Sequence, residues 1–424
     1  MPPTSERLHF SSAVSTAGRS ADAAARVVRR LSQQHPTAGA DLVLAFTTPE
    51  HTDAFDVLQQ ALHNAFRPTV LIIATGDGVL GTGESVERGP GVSVMAANLP
   101  GVTLEPFAWE SQDWPSVLAG KGPRTGRLAE PGDGTPPPAN GMLILADRDT
   151  APWVDLLPKL EAAYPGAAVA GGLLTSHDQT DGTRMLINGR LQDAGAIGVI
   201  FRGEIEIACR VGHGTRPIGR PHVITEAAQQ KIHSLGGRPA LGMARAEINA
   251  LPEAQQQLAA EHGWFLGQVI NEYQPRFGRG DFQVREVLSV DESTGSLVIG
   301  DAAMTVGHTV QVHVPDPGCV AADLGLLLEA QKLHHEPAGM LLFSSSRRGE
   351  PCDPPGNRDP AMIERALGPA PLVGLCPDGE IGPGRAGPFV HMQAASMMLF
   401  RQAQHAPVAG SRGASRPRHN SETI

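Results

Sequence analysis

Aromatic residues make up only 4% of this 424-residue chain, and cysteine occurs four times. With so few rings, a buried core has to be filled mainly by Val, Leu, Ile, Ala and Met. Cys209, Cys319, Cys352 and Cys376 lie far apart and form no C-x-x-C pair, which offers no zinc site and fits a reducing compartment. Long apolar runs are missing as well. The longest are of strand length, and the N-terminus has no apolar stretch resembling a secretory signal, so a cytoplasmic location and no membrane partner are expected. Net positive charge is also absent: the formal balance is −10, which argues against nucleic acid and anionic membranes as partners. The one basic cluster, "SRGASRPRH", reads as a solvated end.

What is present suits a globular chain of two or three domains, with 41% hydrophobic and 18% charged residues. The 49 glycines and 36 prolines imply many turns and short elements rather than long helices. Hydrophobic periodicity predicts a helix over "SADAAARVVRRLSQQ" and a strand at "DLVLAFTT". A second helix follows, with Phe55, Leu58, Leu62 and Phe66 on one face, and then a strand at "TVLIIATG". The same order returns with "GMLILADR", "WVDLLPKLEAAY" and "AAVAGGLL", and again with "GMLLFSSS", "DPAMIERAL" and "PLVGLC". "GPFVHMQAASMMLF" reads as one further strand of mixed pattern.

A β-α-β-then-strands unit therefore occurs three times. The expected fold class is α/β: repeated β-α-β-β-β units forming mixed, mainly antiparallel sheets packed with helices, in an α-β-β-α layering of two stacked sheets. Residues 121–140 are almost all breakers and read as a flexible excursion, and the chain from about Gln402 reads as a disordered tail.

Two copies share a finer detail. Asp77-Gly78-Val79-Leu80-Gly81-Thr82-Gly83 and Asp378-Gly379-Glu380-Ile381-Gly382-Pro383-Gly384 both read D-G-x-[LI]-G-x-G. Overlapping the first, Gly76-Asp77-Gly78-Val79-Leu80-Gly81 fits G-x-G-x-x-G, the pattern of a dinucleotide-binding turn. That motif needs a helix behind it to hold the pyrophosphate, and "TGESVERGPGVSV" cannot supply one. The glycines are better explained by positive φ and close backbone approach. A loop of this kind could still present N–H groups to an anion.

These segments resemble the FIST family, with matching pieces from about Phe10 to Phe400. "DLVLAFTT", "GVLGTGESVERGPGVSVMAANLPGVTLEPF", "YPGAAVAGGLLTS", "LINGRLQDAGAIGVIFRG" and "GHGTRPIGRPHVITEA" match the N-terminal FIST domain. "LGGRPAL", "GDFQVREVLSVDESTGSLVIGDAAMTVGHTVQVHVPD", "GMLLFSSSRRGE" and "PLVGLCPDGEIGP" match the C-terminal one. The resemblance implies a signalling module that binds a small ligand such as an amino acid, with no assigned catalytic residues and no cofactor. It also places a FIST N-type domain at residues 10–232, after a short extension at 1–9, and a FIST C-type domain at 233–401. In F-box relatives such domains recruit substrates to a ubiquitin ligase. Only about ten residues precede the first matching segment here, so the ligase-binding half is not carried over. Ser345 and Thr215 stand where the family often has cysteine, which leaves thiol chemistry at those places unsupported.

The candidate ligand-binding residues are Gly78, Gly81, Glu84, Arg216, Arg348, Gly379, Glu380 and His391. Glu84 and Glu380, one in each glycine loop, could take an amino group; the plainer alternative is turn capping. Arg348 follows a strand and Arg216 precedes a proline, so either could grip a carboxylate bidentately, or form a structural ion pair. His391 lies among core-type residues and reads first as a satisfied buried imidazole. No histidine has companions at metal-ligand spacing. The leading expectation is a non-enzymatic sensory module holding a small polar ligand between the two glycine loops. A protein-interaction adaptor, or a hydrolase or transferase using Ser345 or Cys376, are the alternatives.

Overall fold

The computed structural model describes residues 7–35, 39–119, 138–175, 183–299, 304–345, 359–384 and 387–404. The predicted repeat is realised in three units of one topology. In the first, the edge strand His9–Ser15 and the helix Ser20–Gln34 precede a parallel pair, Leu42–Thr47 and Val70–Thr75, joined by the helix Phe55–Phe66. A hairpin, Val79–Gly81 with Glu84–Val86, follows, and the strand Val92–Asn98 closes the unit. The second unit repeats this with Val102–Trp109, the pair Ala139–Asp147 and Ala168–Leu174, the hairpin Met185–Ile187 with Arg190–Gln192, and Ala196–Gly203. The third has Ile205–Gly212, the pair Gly339–Ser344 and Leu372–Leu375, the hairpin Gly379–Gly384 with Gly387–His391, and Ala395–Gln402.

No unit keeps its own hairpin. The first hairpin pairs with Leu372–Leu375 of the third unit, the second with Val70–Thr75 of the first, and the third with Ala168–Leu174 of the second. The result is three six-stranded sheets of identical strand order, each completed by a neighbour. All three contribute to one central cluster, in which Phe46, Phe201, Phe343 and Phe400 are fully buried beside Leu44, Leu143 and Leu341. Each sheet carries its helices on its other face. The predicted face of Phe55, Leu58, Leu62 and Phe66 is buried there against Val43 and Ile73.

Two expectations are corrected. Three sheets share the core instead of two stacked ones, because the exchanged hairpins close the set into a ring. "GPFVHMQAASMMLF" is two strands in different sheets, broken at Gln393, whose φ of 52° is in the left-handed region. The residue range 121–140 lies outside the described residues up to 137; Ala139 and Asn140 begin a strand. The range 402–424 is described only to 404.

The third unit is interrupted between its first strand and its helix Pro317–Gln331. The insert is a sheet ordered Thr215–Ala228, Thr309–Pro315, Phe265–Val269, Phe282–Asp291, Ser296–Ile299, Lys231–Leu235 and Arg238–Pro239. Thr215–Ala228 also pairs with Lys231–Leu235, which closes a barrel-like ring, and the helices Ala240–Asn249 and Glu253–His262 pack on it. The division expected between residues 232 and 233 falls inside the strand Lys231–Leu235. Among the described residues, no helix is long and apolar enough to cross a membrane.

Candidate functional site

Strand registers fix which residues of the three hairpins correspond. Val79 lies opposite Leu375, Met185 opposite Ala74 and Glu380 opposite Gly172, so Gly81, Ile187 and Gly382 occupy one equivalent position. A Cβ on Gly81 would fall 2.2 Å from Val14 Cγ2, and one on Gly382 would fall 2.5 Å from Val211 Cγ2. Both glycines therefore let the hairpin lie against the edge strand of its own unit. In the second copy Ile187 stands at that position and Ala108 takes the place of the valine, so bulk has moved from one side of the contact to the other.

A serine completes the fastening. Ser93 Oγ donates to the Leu80 carbonyl and Ser396 Oγ to the Ile381 carbonyl, each at 2.7 Å. Gly81 and Gly379 thus sit within paired strands, and Gly78 lies in the bend just before one. Among the described residues of the loops, positive φ occurs at Gly83 (71°) and Gly387 (121°).

The first glycine hairpin begins against the turn that leads into the third. Asp77 N donates to the Cys376 carbonyl at 3.0 Å and Cys376 N to the Gly78 carbonyl at 2.9 Å. Residues beside the two tips border separate clefts. Glu84 is exposed and lines one of about 510 Å³ with Ser12, Arg30, Gln34 and Thr82, whereas Gly384 borders one of about 390 Å³ with Glu161 and Arg210. Glu84 and Glu380 are not equivalent either, since one follows the hairpin tip and the other precedes it. Glu380 is fully buried, and its Oε2 accepts from Ala394 N at 3.0 Å.

Arg216 lies at the root of the insert, where Nε is 2.8 Å from Asp316 Oδ2. Asp316 in turn caps the helix Pro317–Gln331 by accepting from Gly318 N and Cys319 N. Arg348 lies outside the described residues. Cys376 is buried; burial first, then Glu87, Asp77, Glu380 and Asp359, push its thiol well above the ordinary range, the reverse of what a nucleophilic thiolate needs. Ser344 Oγ donates to the buried Asp359 at 2.7 Å, and Ser345 follows on the same strand end. Gly379, Glu380 and His391 are the sequence candidates that the fold does gather.

Of these, Gly379 backs onto a cleft between the insert and the second unit, where a Cβ on it would fall 2.9 Å from Val390 Cγ1. The cleft is lined by Arg148, Trp153, Leu173, Arg285, Glu286, Leu288, Phe389, Val390 and Met392. The slot is narrow: water centres can occupy only about 40 Å³ of it. It stands at the carboxyl end of a parallel strand pair, where α/β sheets commonly hold ligands. Arg148 is bonded to Asp378, the aspartate of the glycine motif, and its Nη2 is 3.2 Å from Glu286 Oε2. Burial alone would lower the Arg148 pKa, but Asp378 and Glu286 outweigh it and raise it. Arg285 is 5% exposed and lies over the Phe389 ring at 4.9 Å.

Arg148 ends "GMLILADR", so the strand-end reasoning applied to Arg348 could have found it. Arg285 and Glu286 are adjacent charges inside the strand Phe282–Asp291, and nothing local says that one of them points inward.

A FIST N domain model matches residues 41–238 and a FIST C domain model matches residues 244–383. The chain belongs to the FIST family. FIST domains are associated with sensory and signalling modules. An uncharacterised protein of Mycobacterium tuberculosis is 31% identical over 382 residues, covering 90% of this chain and 95% of that one. One from Mycobacterium bovis is 33% identical over 353 residues, covering 82% and 88%. A solved cyanuric acid hydrolase covers 94% of this FIST protein and 100% of that chain at 10% identity, with a TM-score of 0.30, too low to carry an argument.

Proposed function

We propose that this FIST protein is a non-enzymatic sensory module that binds a small amino acid in the cleft between the second unit and the insert. The observation that carries the reading is the lining of that cleft. Arg148 and Arg285 are set beside Glu286 and Asp378 around an apolar wall of Trp153, Leu173, Phe389 and Met392. A balanced set of guanidinium and carboxylate groups suits a zwitterion: Arg285 receives the carboxylate, Glu286 the ammonium, and the wall takes a short apolar side chain. A ligand held by both sides ties the insert to the body, which is how occupancy becomes a conformational signal.

Thermal shift of the full chain against single amino acids tests this. Saturation at about 100 times Kd stabilises by about 2.7 kcal/mol, and Arg285→Ala removes the response. Flat profiles with every amino acid, or an unchanged response in Arg285→Ala, overturn the reading.

One surface favours a protein partner as a second reading. Ala322, Leu326, Ala330 and Leu333 are all exposed at helical spacing along and just beyond the helix Pro317–Gln331, with Leu326 69% and Leu333 87% exposed. Leu326→Glu abolishing a reproducible co-purifying partner supports that reading, and an unchanged set of partners removes it.

A further inference from the structure

We propose that His213, His313 and His391 form an acid-released latch that holds the insert on the three-unit body. The three imidazoles come from the three pieces that meet at this junction. His391 ends the hairpin strand Gly387–His391, His313 belongs to the insert strand Thr309–Pro315, and His213 lies in the joint where the chain enters the insert. The His213 and His391 rings are 5.3 Å apart, and both histidines of the other two elements feel the His213 charge. His391 is wedged edge-on to Phe389, and His313 edge-on to Phe282 at 4.8 Å.

The cluster is built for neutral rings. His391 Nε2 donates to the Pro383 carbonyl at 3.0 Å, while its Nδ1 has no hydrogen-bond partner among the described residues. His313 Nδ1 lies 3.3 Å from Thr215 Oγ1, and its Nε2 likewise has no partner among them. A Cβ on Gly267 would fall 2.4 Å from His313 Nε2, so packing fills the space a solvating water would need.

The charged groups facing the cluster give a proton no welcome. Arg285 reaches His391 from the strand Phe282–Asp291 as a second cation, and His213 opposes both rings. Glu380, opposite His391 in the strand register, turns its Oε2 to Ala394 N. Burial, with His213 and Arg285 behind it, pushes His391 down to about 3 against the bond to Pro383; burial and then His213 push His313 to about 3.

The sign follows directly. Above the ordinary histidine pKa of about 6.5 neither the docked nor the released state binds these protons, and docking is at full strength. As pH falls from there towards about 3 only the released state takes them up, so docking weakens throughout that window. Each imidazole multiplies the release equilibrium by about tenfold per pH unit. The insert is also held here by Gln393 Nε2 donating to the His262 carbonyl at 2.9 Å, by the Arg148–Glu286 and Arg279–Asp323 pairs, by Arg285 over the Phe389 ring, and by Met392 against Phe265, Phe282 and Val284. The latch stands whether or not the cleft takes a ligand.

Hydrogen–deuterium exchange of the full ligand-free chain from pH 8 to pH 5, corrected for intrinsic rates, tests it. Protection of Phe265–Val269, Thr309–Pro315 and Gly387–His391 is expected to fall steeply below about pH 6.5, while Leu42–Thr47 and Val70–Thr75 of the first unit hold theirs. The double variant His313→Gln, His391→Gln flattens that pH dependence. Equal protection of the junction and the first unit down to pH 5, or their joint loss, overturns the latch. So does a folded double variant with the wild-type pH profile. If that variant does not fold, the wild-type comparison alone decides.

Discussion

The first and third hairpins carry the same glycine motif and the same serine fastening, yet they end in opposite surroundings. Beyond its tip the first leaves Glu84 exposed on an open polar cleft. The third is roofed by the insert, with Glu380 and His391 buried and Phe389 under Arg285. The shared residues are those that pack: Gly81 against Val14, Gly382 against Val211. The differing residues are those that meet the insert. Repetition therefore encodes the frame, and chemistry gathers where the repetition is broken by an added body.

The comparison can be broken most forcefully at the shared core. Phe343→Ala removes a fully buried ring that faces Phe46 at 6.2 Å. It should cost about 3–5 kcal/mol and lower the melting of all three units together in calorimetry, because their sheets lean on one cluster. A separate early transition of the third unit would show that the units are energetically independent.

Next comes the contact between hairpin and edge strand. Gly81→Ala should destabilise by about 1–3 kcal/mol through overlap with Val14. Adding Val14→Ala should recover much of that, since the second copy has Ile187 at the hairpin position and Ala108 at the edge-strand position. A denaturant double-mutant cycle reads the coupling, and additive losses would refute the exchange of bulk. The smallest effect sharpens the comparison. Ser93→Ala and Ser396→Ala each leave a buried carbonyl without its donor, about 1–2 kcal/mol apiece. Matching losses by chemical denaturation mark the two fastenings as equivalent, and a much larger loss at Ser396 ties the third hairpin's stability to the insert.

Much of this frame was legible because its signals are local. Helix faces such as Phe55, Leu58, Leu62 and Phe66, and strand-length apolar runs, state their partners' polarity wherever they dock. The repeat too was visible, because a glycine forced by close packing leaves its mark at a fixed spacing. Which sheet receives each hairpin was not legible. Val79–Gly81 has the same alternation whether it pairs with Val70–Thr75 or with Leu372–Leu375, and only the three-way closure selects the latter.

The site suffered from the same gap. Arg148, Arg285 and Phe389 are separated by more than a hundred residues in each step and meet through an inserted body. That Glu84 and Glu380 stand on opposite strands of their hairpins, with different neighbours, was not legible locally. His391 was rightly placed among core residues, but its partners His213 and His313 belong to segments whose docking no local pattern announces.

Lending every hairpin to a neighbour has a consequence for how such a molecule can change. A lone unit would present one sheet margin missing its last two strands and one hairpin with nothing to lie on. Shortening the chain by a unit is therefore ruinous, whereas lengthening it at a joint outside the ring is not. The insert occupies such a joint, between an edge strand and the helix that follows it. The matching joint of the first unit, between Ser15 and Ser20, is a ready place to graft a second body without opening the ring.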